Sequence, residues 1–303
     1  MRVGVDIGGS HVGIGLVDSN GDVVEVQERY LKERNIESIE QYILNEIISI
    51  LKKWRYEDNY EFSEVGIGAP GIIRDNEIVK SINLGMYNFK IGDKIKEIFP
   101  NLNIKVMNDA KCAALAEKKW GSLQKYDDCM FLCLGTGIGG ATFYDGKLIN
   151  PKRCAGFEVG HMIIVKDGLP CKCGSNGCFE QYASMRLFKG LIKERLNIDE
   201  SIDGGELRDI IRNNIDSDVV KNTIDEFVSN ICTGLTNLVN LLEPQAICFG
   251  GGFVKYEDIL FDKLKDKFRN SNDMFYKENI PELVMASFGN DAGIIGSTLL
   301  FDE

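Results

Sequence analysis

Residues 6–24 read DIGGSHVGIGLVDSNGDVV, and residues 134–149 read LGTGIGGATFYDGKLI. Each stretch is a strand end, a glycine-rich turn, a second strand, a tight glycine turn and a third strand. Such an internal repeat predicts an α/β chain of two similar half-folds, each a mixed sheet with flanking helices. Around the first copy, Val3–Ile7, Val12–Val17 and Val23–Glu28 are the expected strands. Ile39, Ile43, Ile47, Ile50 and Leu51 share one face of a helix expected over Ile36–Trp54. Glu64–Ala69 is a short strand ending at Pro70-Gly71, Ile91–Phe99 a helix stopped by Pro100, Ile104–Met107 a strand and Ala110–Lys119 a helix. In the second copy the strands are Cys129–Leu134, Ala141–Tyr144 and Lys147–Ile149, with Gly135–Gly140 as a turn. Helices follow over Ser184–Leu196, Glu206–Asn213 and Val219–Leu242, then a strand Gln245–Phe249 running into Gly250–Gly252. A helix Tyr256–Phe268, a strand Leu283–Ala286 and a helix Asp291–Phe301 complete the chain.

A length of 303 residues exceeds one small core and predicts two lobes. The boundaries are expected to give 1–109 plus 290–303 as a small lobe and 110–289 as a large one. The chain is 44% hydrophobic and 27% charged, an ordinary globular balance, and no apolar run approaches a membrane span. A net charge of −11 argues against a broad nucleic-acid surface. The opening MRVGVDIGGS reads as strand and turn rather than as a leader, so the nine cysteines are expected in the reducing cytoplasm.

Three of those cysteines, Cys171, Cys173 and Cys178, fall within eight residues, and His161, one of two histidines, lies ten residues upstream. Three thiolates and one imidazole match a closed tetrahedral zinc site, which is structural because no ligand position stays open. Gly174 and Gly177 relieve the loop that must fold the thiolates back onto one ion. A Cys171–Cys173 disulfide would be strained, and the spacing is not that of an iron–sulfur run. Cys112, Cys129, Cys133, Cys154, Cys232 and Cys248 read as small buried hydrophobes. Glu158 and Glu180 bracket the cluster with carboxylates.

Three glycine turns, Gly8-Gly9-Ser10, Gly135–Gly140 and Gly250–Gly252, each follow a strand, where amides can approach phosphate oxygens without a Cβ in the way. No Walker loop occurs. Gly135-x-Gly137-x-x-Gly140 matches a dinucleotide fingerprint, yet it opens a hairpin rather than the helix such a fingerprint requires. Asp6 and Asp109 both stand at strand ends, Asp109 at a position that an N-cap could also explain.

With these residues assembled, the chain closely resembles the ROK family of sugar kinases, within the actin/hexokinase/Hsp70-like ATPase superfamily. The motifs run in order: DIGGS at 6–10, GIGAPG at 66–71, NDA at 108–110, GTGIGG at 135–140, EVGH at 158–161, CKCGSNGCFEQYAS at 171–184 and GGG at 250–252. The resemblance implies a two-lobed actin-like ATPase (ribonuclease H-like) fold. It also implies phosphoryl transfer from MgATP to a hexose hydroxyl, with Asp109 as general base. Gly71, Asn108, Glu158, His161 and Glu180 would bind the sugar. Asp6 would hold Mg2+ through water. Gly8, Gly9 and Ser10, with Gly135, Thr136, Gly137 and Gly139, would cradle the phosphates, and Gly250, Gly251 and Gly252 the adenosine. His161, Cys171, Cys173 and Cys178 would hold Zn2+, the second imidazole nitrogen of His161 remaining free for sugar.

The sequence departs from the family pattern at Ser10 (commonly threonine), at His11 (often lysine or asparagine) and at Phe157 (commonly glycine). ROK repressors carry a DNA-reading domain ahead of the first phosphate motif, and the expectation here is an enzyme, since DIGGS begins at Asp6. Intact EVGH and Glu180 suit glucose, which makes glucokinase the expected activity. Mannose, fructose, allose, N-acetylglucosamine and N-acetylmannosamine are the alternatives, with a sugar-sensing regulator behind them. The resemblance also suggests a homodimer; the apolar segment Val219–Leu242 reads equally as core or interface.

Overall fold

The computed structural model describes residues 1–31, 38–151, 157–271, 278 and 280–302. The chain divides into two compact units: residues 1–125, 148–157 and 287–303, and residues 126–147 and 158–286.

The first unit opens with strands β1 (Arg2–Ile7), β2 (His11–Val17) and β3 (Val23–Tyr30), paired antiparallel in sequence. Helix α1 (Ile39–Lys52) starts where the Ser38 hydroxyl accepts from the Gln41 amide. It buries Ile43, Leu44, Ile47, Ile48, Ile50 and Leu51, then tightens into a π-turn that buries Trp54. The start expected at Ile36 lies outside the described residues. Strands β4 (Glu64–Ala69), β5 (Ile72–Arg74), β6 (Glu77–Ser81) and β7 (Met86–Phe89) follow, then helix α2 (Ile91–Ile98), strand β8 (Asn103–Asn108) and helix α3 (Asp109–Lys119). The main sheet has the order β3-β2-β1-β4-β8, with β1, β4 and β8 parallel, and β5-β6-β7 form a separate small sheet.

The second unit repeats this plan. Strands β9 (Cys129–Leu134), β10 (Ile138–Tyr144) and β11 (Lys147–Leu148) form the antiparallel arm. Helices α4 (Glu180–Ala183), α5 (Met185–Arg195), α6 (Gly204–Asn213) and α7 (Asp218–Leu242) precede strand β12 (Ala246–Gly250), helix α8 (Glu257–Arg269) and strand β13 (Glu282–Met285). The order β11-β10-β9-β12-β13, with β9, β12 and β13 parallel, matches the first sheet position for position. Helix α7 packs on α4, α5 and α8 through a buried face that includes Ile224, Phe227, Ile231 and Leu235, so most of its apolar side is core.

The chain returns to the first unit with helix α9 (Ala292–Thr298), continued as a short 3-10 turn to Phe301. Helix α9 packs on β1, β4 and α3. A Cβ on Gly4 or Gly66 would strike the Ile294 or Ser297 carbonyl oxygen, and a Cβ on Gly296 the Cys112 carbonyl oxygen. The same packing explains why the expected boundaries at 109/110 and 289/290 are displaced. Helix α3 lies between α9 and β4, so the first unit runs to Lys125 and resumes at Ser287. Among the described residues no helix is long and apolar enough to cross a membrane.

Gly296→Ala forces α9 off α3 and should cost about 1–3 kcal/mol or more, because the obstacle is backbone. Gly190→Ala, in α5 with nothing within 4 Å of the added carbon, should stabilise by about 0.5–1 kcal/mol. Chemical denaturation of the two variants checks both signs, and equal shifts would refute the packing argument.

Candidate active site and metal centre

In the first unit the expected residues gather at the ends of parallel strands. Asp6 stands near the end of β1, beside Gly13 of β2 and Gly68 of β4. The turn after it is closed by a Gly8 amide donating to the His11 carbonyl at 2.8 Å, and a Cβ on Gly9 would meet nothing within 4 Å. The Ser10 carbonyl accepts from Leu31 at 2.9 Å. The His11 Nδ1 lies 3.4 Å from the Ser10 hydroxyl, and its ring centroid 6.4 Å from that of Tyr30.

Asn108 ends β8 and caps α3: its Oδ1 accepts from the Lys111 amide at 3.3 Å, and its Nδ2 donates to the Gly71 carbonyl at 3.3 Å. Gly71 holds φ +106°, and a Cβ there would lie 2.9 Å from the Ser81 α-carbon and strike the Lys80 carbonyl oxygen, so no larger residue fits the turn that meets Asn108. Asp109 begins α3, and its Oδ1 accepts from the Ala110 amide at 2.9 Å. Asp6 and Asp109 feel one another. Loss of water around Asp6, and after it the charge of Asp109, push the Asp6 carboxyl up from 3.8 to about 7. Two carboxylates so placed suit a divalent cation with phosphate oxygens, because a positive ion relieves both the desolvation and the repulsion.

Sequence reasoning missed three residues that hold this cluster. A Cβ on Gly293, at the start of α9, would lie 2.5 Å from Asp6 Oδ2, so the helix backs directly onto the carboxylate. Glu117 is fully buried. Its Oε1 accepts from the Ser287 and Phe288 amides at 2.8 and 3.0 Å, and its Oε2 from the Ser122 amide at 3.0 Å. It thereby clasps the segment that leads into α9. Lys111 is 2% exposed, with its Nζ donating to Asn150 Oδ1 at 2.9 Å. The small-residue spacing Gly293/Gly296 was the one readable signal; the acid and the lysine carry none.

In the second unit the turn expected over Gly135–Gly140 is shorter, because Ile138, Gly139 and Gly140 already pair with Leu134, Cys133 and Leu132. The Gly135 amide donates to Gly137 at 2.9 Å, and the exposed Thr136 sits at the tip. Glu180 supports this turn. Its Oε2 accepts from the Ile138 amide at 3.0 Å, its carboxylate fills the space a Cβ on Gly137 would take, and its Oε1 accepts nothing from the described residues. Gly251 is at φ +71°, where a Cβ would lie 2.8 Å from Cys133 Sγ and 2.9 Å from the Leu134 carbonyl oxygen, and one on Gly252 would touch Met185 of α5, so the second and third glycine turns adjoin. Glu158 is exposed and precedes a 3-10 turn Val159–His161, in which the His161 amide donates to the Glu158 carbonyl at 3.0 Å. Phe157, in the first unit's segment, holds φ +59°.

His161, Cys171, Cys173 and Cys178 converge, with ligand atoms all within 4.8 Å of one another. Cys173 Sγ and Cys178 Sγ are 3.6 Å apart, and Cys171 Sγ lies 3.7 Å from His161 Nδ1. A tetrahedral ion with sulfur ligands at about 2.3 Å has sulfur–sulfur edges near 3.7 Å, so the donor set fits such an ion. Nδ1 faces the sulfurs, which leaves Nε2 on the other side of the ring. Burial, and after it the neighbouring sulfurs, push the Cys178 thiol up to about 12, whereas the Ser175 backbone pulls Cys173 down. A cation among these donors would relieve the burial and repulsion that raise Cys178. Between Cys178 and Glu180, Phe179 is fully buried against Gly234 of α7 and fixes both neighbours. Cys154 lies outside the described residues.

The sequence model of the ROK family matches residues 2–303. A glucokinase of Streptomyces coelicolor is 28% identical over 100% of this chain and 98% of its own length. An N-acetyl-D-glucosamine kinase of Vibrio atlanticus is 26% identical over 99% of each. A xylose repressor of Bacillus subtilis is 28% identical over 99% of this chain and 77% of its own. The crystal structure of a ROK family glucokinase from Streptomyces griseus, in complex with glucose and AMPPNP, superposes with a TM-score of 0.84 at 28% identity, covering 99% of this chain and 98% of that one.

Two outcomes follow from the electrostatics. Between pH 4 and 7 the folded protein holds a proton on Asp6 that the unfolded chain releases, so this group's contribution to stability falls as pH rises. Asp6→Asn should therefore gain stability over the parent on going from pH 5 to pH 7.5 without added metal, read by denaturant melts; a constant difference would refute the shift. Cys173→Ala should lower bound metal from about one ion per chain and reduce the melting temperature, read by elemental analysis and thermal melts. Unchanged metal content would refute the ligand set.

Proposed function

The chain belongs to the ROK family, and on that footing we propose that it is an ATP-dependent hexose kinase whose acceptor is the 6-hydroxyl of glucose. The observation that carries the reading is the approach of Asp6, at the end of β1, to Asp109, where β8 passes into α3 two strands away, beside an open glycine turn. Phosphoryl transfer asks a protein chiefly to position groups and stabilise charge, and in this reading the two acids would serve it by placing a base and a divalent cation.

In this reading Asp109 accepts the proton of the sugar hydroxyl as the oxygen attacks phosphorus. The Ala110 amide holds one Asp109 oxygen, and the Asn108 cap fixes the backbone from which the side chain leaves. Asn108, Gly71, Glu158, His161 and Glu180 would receive the remaining hydroxyls; carboxylates suit this because a sugar presents many O–H donors. Glu180 keeps one oxygen on the glycine turn and has the other to offer. The Gly8–Ser10 and Gly135–Gly139 turns take phosphate oxygens, and Gly250–Gly252 the nucleoside. Asp6 would hold Mg2+ through water, and that ion would screen the phosphate charge during transfer. Zinc is the ion proposed for the four-ligand centre, where its part is to hold the loop and orient His161.

The glucose assignment rests on similarity to the glucokinases and on the EVGH and Glu180 set. Phe157 stands where glycine is common and directly precedes Glu158, so it is the residue most able to alter the sugar preference. The likeness to an N-acetyl-D-glucosamine kinase supports amino sugars as the second reading, and that to a xylose repressor supports a sensor. A homodimer and a cytoplasmic setting belong to the proposal through the family resemblance.

The test is ADP release from MgATP across a panel of hexoses and N-acetylhexosamines. Turnover on glucose well above the rest is expected, and an amino-sugar preference would change the substrate but keep the mechanism. Asp109→Asn should cut kcat by about 10²–10⁴-fold while sugar affinity stays within about threefold. Turnover that survives the substitution would remove Asp109 as the base. Turnover on no sugar, with sugar still raising the melting temperature, would favour the sensor.

A further inference from the structure

One polar side chain beside the four-ligand cluster has no part in the proposed transfer. Gln181 lies on α4, directly after Glu180, and is half-buried. Its Nε2 stands 3.7 Å from Cys171 Sγ, and its backbone amide donates to the Cys178 carbonyl at 2.9 Å. Gln181 therefore touches the first and the last of the three cysteines. Among the described residues it is the one side chain outside the four ligands that directs an N–H at any of their sulfurs. Cys173 is served by the backbone of Ser175 instead, a donor that belongs to the main chain.

The surroundings hold Gln181 in this place. Tyr182, next on α4, accepts the Leu169 amide on its hydroxyl at 2.6 Å, and the Asn230 side chain of α7 donates to the Tyr182 carbonyl at 3.3 Å. The Phe179 amide donates to the Met162 carbonyl at 2.7 Å, and Ile163 bridges to Cys178. Both ends of the loop are thus tied to the helix from which the glutamine projects. Cys171 is 8% exposed, so the amide takes the place of a solvent donor at its sulfur.

Three thiolates and one neutral imidazole around a divalent ion leave one excess negative charge on the sulfurs. In a buried setting that charge is costly unless N–H donors share it. A sulfur bound to an ion has no proton and can only accept, so the amide must present nitrogen rather than oxygen to it. Gln181 has that orientation. Sharing the charge eases the repulsion among the thiolates and lets all three stay deprotonated, which favours the ion. We propose that Gln181 is a positioning residue of the metal centre: its amide N–H, donated to the Cys171 sulfur, sets how tightly the four ligands hold a thiophilic divalent ion. The inference rests on the four-ligand metal reading and is independent of the kinase reading.

The test uses the full-length protein produced in cobalt-supplemented medium, so that cobalt reports on the sulfurs through its cysteinate-to-metal charge-transfer absorption. The parent is compared with Gln181→Met and Gln181→Lys. Methionine matches the length of glutamine without an N–H, and lysine restores one. Cobalt per chain is read by elemental analysis, affinity by competition with a chelator, and the band by absorption. Gln181→Met should bind the ion about tenfold more weakly, and Gln181→Lys within about threefold of the parent. The band of Gln181→Met should move to longer wavelength, because a sulfur that has lost a donor gives up charge more readily, and that of Gln181→Lys should not. The band is read on loaded chains, so a merely structural role would leave it in place. Equal affinity and an unmoved band in Gln181→Met would overturn the inference, as would a lysine variant as weak as the methionine one. If Gln181→Met does not fold, Gln181→Ala carries the same comparison. A parent that holds no cobalt would overturn the metal reading itself, and the inference with it.

Discussion

Backbone-to-backbone approach of α9 onto β1, β4 and α3 is the constraint from which the first unit's chemistry follows. Gly4 and Gly66 open the sheet face to the helix, and Gly296 opens the helix to α3. With that distance fixed, Gly293 can rest on the Asp6 carboxylate, and α3 can begin where Asp109 raises the Asp6 pKa. A Cβ at any of these places would push the helix outward and loosen the geometry of both acids. The buried Glu117 complements this packing, since a charge that accepts three amides replaces the water those groups would lose. The placement of this pair of acids thus depends on residues that offer no reactive group of their own.

The second unit uses the same sheet order for another task. Its glycine turns lie where β9 and β12 end, as ligand sites in parallel sheets do. Gly250 lies against the Phe131 ring and Gly251 against Leu134, which brings two turns side by side. Glu180 then joins the second turn to the metal loop through the buried Phe179 anchor. A loop with thiolates at its core and isoleucine, valine and leucine at its surface has little apolar core of its own. An ion held by His161, Cys171, Cys173 and Cys178 would replace three acidic protons and supply the cohesion the loop lacks.

The sequence disclosed the repeat, the motif order and the convergent Cys/His cluster because each is local: alternating apolar residues, a glycine after a strand, thiols at close spacing. What stayed hidden is non-local or ambiguous. The strands β5, β6 and β7 are three to five residues long, too short for their alternation to stand out. Gly139 and Gly140 look like turn residues, yet they belong to a strand, because their neighbours in β9 set the register. The displaced unit boundary reflects α9, which reaches α3 from the far end of the chain. Glu117 sits in a run of helix-formers, AEKK, where an acid ordinarily faces solvent.

Phe157 shows how far local cost can locate function. A side chain in the left-handed region costs about 1–2 kcal/mol, and a bulky aromatic is among the residues least suited to it. Glycine would adopt the same backbone without that cost, and the ROK pattern commonly has glycine there. Its place immediately before Glu158 makes the acid's backbone inherit that geometry. Relief of the strain and a change in the direction of the acid cannot be separated at this position. The left-handed backbone of Phe157 and the start of the turn that carries Glu158 are thus set at adjoining positions.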